Sequence, residues 1–505
     1  MAVIPAHDRQ RGAALLIMLL LLVLGGAVLF SRNISGQLAS ASLATRNAAA
    51  LADTKEALLG YIVTRDATHP GKYGFLPCPD IDATGSTAEG EAHESNCGAR
   101  YRSRLGRFPW RTVGLEPGRG KVSECLWYAV SGSWKAAGAN EAQLLNTDSS
   151  GQFRVFAADG STLIAGATAG ERPVAVIIAP GAPVAGQTRA TAASGVDQCG
   201  GSFVANRYLD SHAASGIDNS NLGNTADAID DFINADAGGA IVNDQMIFIT
   251  RSEIEERLLR RADVTAQLTA LAGAVAHCIA DYGKRNPGGA GDRRLPWPAA
   301  VDLVEYRTAA LYNDTPVGAL SGRVPDVVND SNSRTGNTST GVLTACNSTT
   351  VPEWTATMAT LWQHWKDQLF YAVAFDFRPD AAPAAGCTTC LSVNGAGTYA
   401  AVLMFAGRRL TALGQTRDEP PMNADTRSNI GNYLEGRNAG NHPNVAGNGD
   451  YQSCRHCAPA SSSSLLYQMM TKAQRPAALT HHAIPPSSPS YRYAPTPKGH
   501  AWSRS

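Results

Sequence analysis

The chain has 505 residues, carries 43 Lys+Arg against 43 Asp+Glu, and is only 17% charged while 44% hydrophobic. Typical soluble domains are about 25% charged, and a nucleic-acid binder needs a basic face to neutralise phosphates, so the balance argues against a nucleic-acid binder and against a disordered polyelectrolyte. At roughly 150 residues per domain the length allows two to four domains. Ten cysteines are too few for a miniature disulfide scaffold but enough for several bridges in an oxidising compartment.

The N-terminal leader ends Arg9-Gln10-Arg11-Gly12, and an uncharged apolar run follows from Ala13 to Phe30. As a helix this run reaches about 27 Å, close to a hydrocarbon core of about 30 Å. Arg9 and Arg11 put the N-terminus in the cytoplasm and the remainder across the membrane. A cleaved signal peptide fits poorly, because the nearest Ala-x-Ala, Ala39-Ser40-Ala41, lies far from the end of the run. Ile34, Leu38, Leu51, Leu58 and Ile62 continue a helical pattern to about Thr64, so residues 13–64 read as one helix, part embedded and part amphipathic.

A short polar leader ending in glycine, followed by an apolar stretch that opens a long helix, resembles a type IV prepilin or type II secretion pseudopilin. The resemblance implies cleavage by prepilin peptidase between Gly12 and Ala13 and methylation of Ala13. It also implies a single-pass inner-membrane protein with a periplasmic body, extracellular in an assembled filament, whose partners are other pilins. The fifth mature residue, usually Glu, is Ile17 here. Its absence is a habit of the minor subunits that initiate or cap a filament.

Six short strings recur in the same order. Leu76-Pro-Cys-Pro79 pairs with Leu295-Pro-Trp-Pro298, Gly106-Arg-Phe-Pro109 with Gly322-Arg-Val-Pro325, and Leu126-Trp-Tyr-Ala-Val130 with Leu369-Phe-Tyr-Ala-Val373. Ala175-Val-Ile-Ile178 pairs with Ala401-Val-Leu-Met404, Gly186-Gln-Thr-Arg189 with Gly414-Gln-Thr-Arg417, and Tyr208-Leu-Asp210 with Tyr433-Leu-Glu435. Ordered recurrence of this kind marks an internal duplication. An insertion of about 25 residues, in the Asn/Ser/Thr-rich stretch 329–350, separates the spacing of the two copies. A helix expected over 252–282, with a capping box at Ser252 and Glu255, precedes the second copy.

The expected fold is therefore α+β: a long N-terminal helix, part transmembrane, followed by two related pilin-like domains, each a helix on an antiparallel sheet. The segments are a leader (1–12), the helix (13–64), a first head domain (65–251), a second (252–453) and a disordered basic tail (454–505). Six of the 43 basic residues and none of the 43 acidic ones follow Cys454.

The best metal candidate is the loop Asp80, Asp82, Thr84, Ser86, Glu91, with Gly85 at the sixth position and Glu91 at the twelfth of a calcium-loop spacing. Pro77 and Pro79 disfavour an entering helix. A solvated turn is the competing reading. Disulfide candidates are Cys78, Cys97, Cys125, Cys199, Cys346, Cys387 and Cys390, with Cys78 to Cys97 closing the Asp80 loop; Cys278 reads as a buried thiol. Cys387-Thr-Thr-Cys390 and Cys454-Arg-His-Cys457 are too far apart for a zinc ribbon. The repeated apolar strings read as core strands, and Arg189 and Arg417 as ties to a carboxylate or a carbonyl. His364 reads as a helix-surface or core residue.

No G-x-S-x-G, H-E-x-x-H, Walker or dinucleotide motif occurs. The expectation is a structural subunit that is not an enzyme and binds no nucleic acid. Its alternatives are a membrane-anchored calcium-dependent adhesin or, further off, a periplasmic enzyme with an unrecognised site.

Overall fold

The structure is a computed structural model. It describes residues 8–469 apart from 82–87, 117–124, 137–144, 147, 190–198, 200, 236–238, 286–293, 304–306, 308–311, 315–317, 329–341, 382–386, 418–423, 443, 445 and 454–464. The fold mixes helix with antiparallel sheet. Helix α1 (Asp8–Thr64) buries Asn47, Ala50, Leu51, Thr54, Leu58, Leu59 and Ile62, a stripe at three- and four-residue steps that lays one face on a sheet.

The strands that follow are β1 (Arg104–Arg107), β2 (Trp127–Val130), β3 (Phe153–Phe156), β4 (Leu163–Ala165), β5 (Pro173–Ala179), β6 (Ser211–His212), β7 (Ile217–Asp218), β8 (Asp230–Ile233) and β9 (Gln245–Thr250). The antiparallel sheet β1-β2-β5-β9 is the main layer. Asn47 Nδ2 donates to Gln245 Oε1 at 2.9 Å and Lys55 Nζ to the Phe248 carbonyl at 2.9 Å, which fixes α1 against β9. A smaller sheet, β4-β3-β8, covers the other face, with β3 antiparallel to β4 and parallel to β8. Both faces of the main sheet are thus covered, which is why β5 reads as the unbroken apolar run PVAVIIA. Tyr128, Val130, Ala175 and Ile177 join the helix-side core, while Trp127, Ala129, Val176 and Ile178 join the small-sheet core, the two-residue alternation of a strand.

The second half follows the same plan. Helices α2 (Arg251–Leu259) and α3 (Ala262–Arg285) lead to β10 (Ser321–Arg323), α4 (Ala356–Trp365), β11 (Leu369–Val373), β12 (Leu391–Val393), β13 (Ala396–Tyr399), β14 (Ala401–Phe405), β15 (Asp450–Tyr451) and β16 (Leu465–Met469). The main sheet is β10-β11-β14-β16 and the small one β13-β12-β15, again with one antiparallel and one parallel pairing. The paired strings fall at matching places: β1 with β10, β2 with β11, β5 with β14. Two glycines explain part of this. A Cβ on Gly106 would stand 2.6 Å from the Asp80 carbonyl, and one on Gly322 would stand 2.1 Å from that of Ala299, so each close backbone crossing admits only glycine. Asp80 and Arg107 exchange backbone hydrogen bonds there, as do Ala299 and Arg323.

Three sequence expectations change. The helix expected over 252–282 is two helices, broken at Arg260–Arg261, where the Arg261 guanidinium turns to Asp66 (2.6 and 3.0 Å). Its capping box is Thr250 with Glu253 rather than Ser252 with Glu255; the Thr250 amide donates to Glu253 Oε2 at 2.9 Å. Leu465–Met469, within the stretch expected as tail, is strand β16, paired with β14 from Ala401↔Met469 to Phe405↔Leu465. It stands where β9 stands in the first sheet.

The two halves share a core that holds Leu58, Ile62, Tyr128, Val275, Tyr371 and Leu403 together. Helix α3 is long and apolar enough to cross a membrane by length and composition. Leu268, Leu271, Val275, Cys278 and Ile279 are nevertheless buried in that core, the place of a core helix.

Candidate functional site

The repeated polar strings converge on two tyrosines. Arg107 and Arg189 both lie over the Tyr208 ring, at 5.1 and 5.4 Å from its centroid. Arg323 and Arg417 lie over the Tyr433 ring at 4.8 and 4.9 Å. Arg189 Nη2 donates to the Gly181 carbonyl at 2.8 Å, and Arg417 Nη1 to the Gly407 carbonyl at 2.7 Å. Each guanidinium also reaches the carbonyl of its own tyrosine, Tyr208 at 3.5 Å and Tyr433 at 3.4 Å. Of the two ties expected for these arginines, the carbonyl tie is therefore made in both halves. Gln187 and Gln415 reach the acid that ends each string, Asp210 Oδ1 at 2.9 Å and Glu435 Oε1 at 3.2 Å. Cationic planes over a ring supply attraction and fix loops that have no ladder of their own.

Asp210 is itself part of a buried acid pair. Its Oδ2 accepts from the Asn243 and Asp244 amides at 2.6 and 3.0 Å, and Asp244 Oδ2 accepts from the Asp210 amide at 2.7 Å and Asn219 Nδ2 at 2.9 Å. Burial, then the charge of Asp210, pushes the Asp244 carboxyl up to about 8, so it is largely protonated at neutral pH.

A second polar cluster, which no sequence spacing indicated, lies where the two halves join. Asn146 Nδ2 donates to Asp367 Oδ1 at 2.7 Å, and Gln368 Nε2 to Asp148 Oδ2 at 2.8 Å, so each half supplies both donor and acceptor. Arg417 Nη1 stands 3.8 Å from Asp148 Oδ2, Arg409 Nε 3.9 Å from Asp148 Oδ1 and Arg427 Nη1 3.6 Å from Asp367 Oδ2. Arg251 Nη1 donates to the carbonyls of Asp148 at 2.7 Å and Arg417 at 3.3 Å. Burial raises the Asp367 carboxyl to about 6 against the lowering pull of Arg427, and raises Glu255 to about 7 against Arg409. A buried layer of this kind adds little net stability compared with an apolar one, while removing a single partner from it is costly.

Gly12 and Ala13 lie within α1, their side chains outside the described residues. Along the same helix Leu16 to Leu24 are 53% to 69% exposed. Of the calcium-loop residues, Asp82, Thr84 and Ser86 lie outside the described residues. Asp80 is buried and its Oδ2 accepts from the Gly90 amide at 2.7 Å, while Glu91 Oε2 accepts from the Ala88 amide at 3.3 Å. The Asp80–Gly90 bond thus draws the ends of the loop together, while the Glu91 bond is local to one end. In the second half Ala299 stands at the position of Asp80.

Cysteines stand at disulfide distance as Cys78 with Cys97, Cys125 with Cys199, Cys278 with Cys346 and Cys387 with Cys390, with Cα separations of 5.7, 5.5, 5.5 and 5.6 Å. Cys278 is therefore paired rather than a buried thiol, and its bridge ties α3 to the inserted segment before α4. Cys454 and Cys457 lie outside the described residues. His364 is a core residue: its Nδ1 accepts from the Leu145 amide at 3.0 Å and its ring meets Phe75 edge-on at 5.7 Å.

These features define a mixed helix-and-sheet protein whose two halves have sheets of matching strand order, with cysteine pairs at disulfide distance and arginine clusters. Comparison with protein-family models, with curated proteins and with solved structures finds no match.

Proposed function

We propose that this protein is a structural subunit of a type IV pilus or type II secretion pseudopilus, processed by prepilin peptidase after Gly12 and placed at a filament's initiating end. The observation that supports it most is α1 itself. Its later part is buried against the first sheet, while Leu16 to Leu24 of the same helix are exposed. Burying one such side chain is worth about 1.5–3 kcal/mol, so nine in succession call for lipid or for other apolar helices around them. A membrane holds the helix before assembly, with the N-terminus cytoplasmic and the head periplasmic, and neighbouring pilin helices replace the lipid in the filament. Ile17 in place of an acid leaves no partner for a preceding subunit's terminal amine, which suits a subunit with none before it.

Counting filaments in a strain lacking this chain, with immunogold labelling in the parent, tests the placement. Fewer filaments and label at one end support it; unchanged filament number or label along the shaft contradicts it.

A calcium-dependent binding head is a second reading, resting on the calcium-loop spacing from Asp80 to Glu91, whose ends the Asp80–Gly90 bond brings together. A melting temperature raised by calcium in the parent but not in Asp82→Ala supports it. An unchanged parent rejects it.

A further inference from the structure

The four cysteine pairs among the described residues fall into two classes. Cys78, Cys97, Cys125, Cys199, Cys278 and Cys346 are buried, and their bridges close sequence separations of 19, 74 and 68. Cys387 and Cys390 are half-buried, and theirs spans a separation of 3. Thiol–disulfide exchange requires a thiolate to reach a sulfur, so the buried pairs are protected and this pair is open. A bridge also restricts the unfolded chain in proportion to the logarithm of its loop, so the shortest loop contributes least to stability.

The surrounding contacts make cleavage of this bridge cheap for the fold. Asp376 Oδ2 accepts from the Thr388 amide at 2.7 Å, the Thr388 hydroxyl at 3.0 Å and the Thr389 amide at 2.8 Å, so the turn between the two cysteines is held without the bridge. Strand β12 begins directly after Cys390, with Leu391 buried and paired to Tyr399. A cysteine that attacks other disulfides sits at a helix N-terminus, whose dipole stabilises its thiolate. Here a strand follows instead.

We propose that Cys387–Cys390 is a site of reversible thiol–disulfide exchange, acted on by a dithiol oxidoreductase and not itself an attacking centre. A thiolate of the partner dithiol attacks one sulfur, giving a mixed disulfide and releasing the other cysteine as a thiolate that takes up a proton. The partner's second thiolate then attacks the partner's own sulfur in the mixed disulfide and expels the bound cysteine as a thiolate, which takes up a proton. The partner leaves as its disulfide, and Cys387 and Cys390 are left as two thiols, two electrons richer.

The native full-length protein is exposed to graded dithiothreitol without denaturant, alkylated, unfolded, reduced and labelled with a second alkylating agent for peptide mass spectrometry. The expected result is alkylation of Cys387 and Cys390 at a reductant level about tenfold below that needed for the six buried cysteines, with an unchanged far-ultraviolet spectrum. Reduction of any buried pair first, or no reduction before unfolding, overturns the proposal. In a second arm, a thioredoxin-fold oxidoreductase whose resolving cysteine is replaced by serine is expected to form a mixed disulfide with the parent and none with the Cys387→Ser, Cys390→Ser variant. No adduct with the parent overturns it as well.

Discussion

Tyr208 and Tyr433 occupy matching places in the two halves, each with two guanidinium groups over its ring, Arg107 and Arg189 for one and Arg323 and Arg417 for the other. Strings far apart in the chain recur together because they meet at this one spot. Arg417 is the more deeply held of the repeated pair, 1% exposed and close to Asp148. Arg417→Met is expected to cost about 3–5 kcal/mol, since it removes a cation beside the buried Asp148 carboxylate and the donor to several carbonyls. Arg189→Met, on a half-buried residue, is expected to cost less. Urea unfolding of both variants, with a double-mutant cycle between Arg417 and Asp148, measures the difference and should show coupling of at least about 0.5 kcal/mol.

Gly106 and Gly322 are expected to resist even a methyl group. Alanine at either position forces a Cβ against a backbone carbonyl, a cost of about 1–3 kcal/mol by overpacking. Gly322→Ala should be the worse of the two, because its contact would be closer, 2.1 against 2.6 Å. Equal denaturation midpoints for the parent and Gly322→Ala would contradict the close crossing.

Two buried groups give opposite dependences on pH. Asp244, raised to about 8, keeps its proton in the fold while the unfolded chain loses it near its ordinary value, so its contribution is full below about pH 4 and declines as pH rises to 8. His442, lowered to about 4 by burial, stays neutral in the fold, so its contribution is lost as pH falls from about 6.5 to 4. Melting temperatures of Asp244→Asn should therefore fall less between pH 5 and 8 than those of the parent, with Asp210 and Arg189 unchanged beside it. An identical slope would contradict the protonated carboxyl.

Much of this architecture was legible in the sequence, where local pattern carried it. Apolar runs became the doubly covered strands β5, β11 and β14, and the short spacing of Cys78 and Cys97 pointed to their bridge. The remainder depended on contacts between distant segments. Cys278 carries no sign of Cys346, 68 residues on, and Asp148, Arg251, Asp367 and Arg417 share no spacing that would announce a common site. Strand β16 is only faintly marked in the sequence, by the likeness of Leu465 to Thr471 to the strand Gln245–Thr250 within a basic, Ser- and Pro-rich stretch; its pairing with β14 establishes it. The capping box shifted by two residues because Thr250 ends β9 and caps α2 at once.

The central claim is that Ala13 becomes the first residue of a membrane-inserted helix that assembles with others of its kind. Mass spectrometry of the N-terminal peptide, from cells with and without a prepilin peptidase, tests it most directly. An N-methylated peptide beginning at Ala13 in the presence of the peptidase, and an uncut leader in its absence, is the predicted result. A leader retained in both, or a cut near Ala41, would contradict the account.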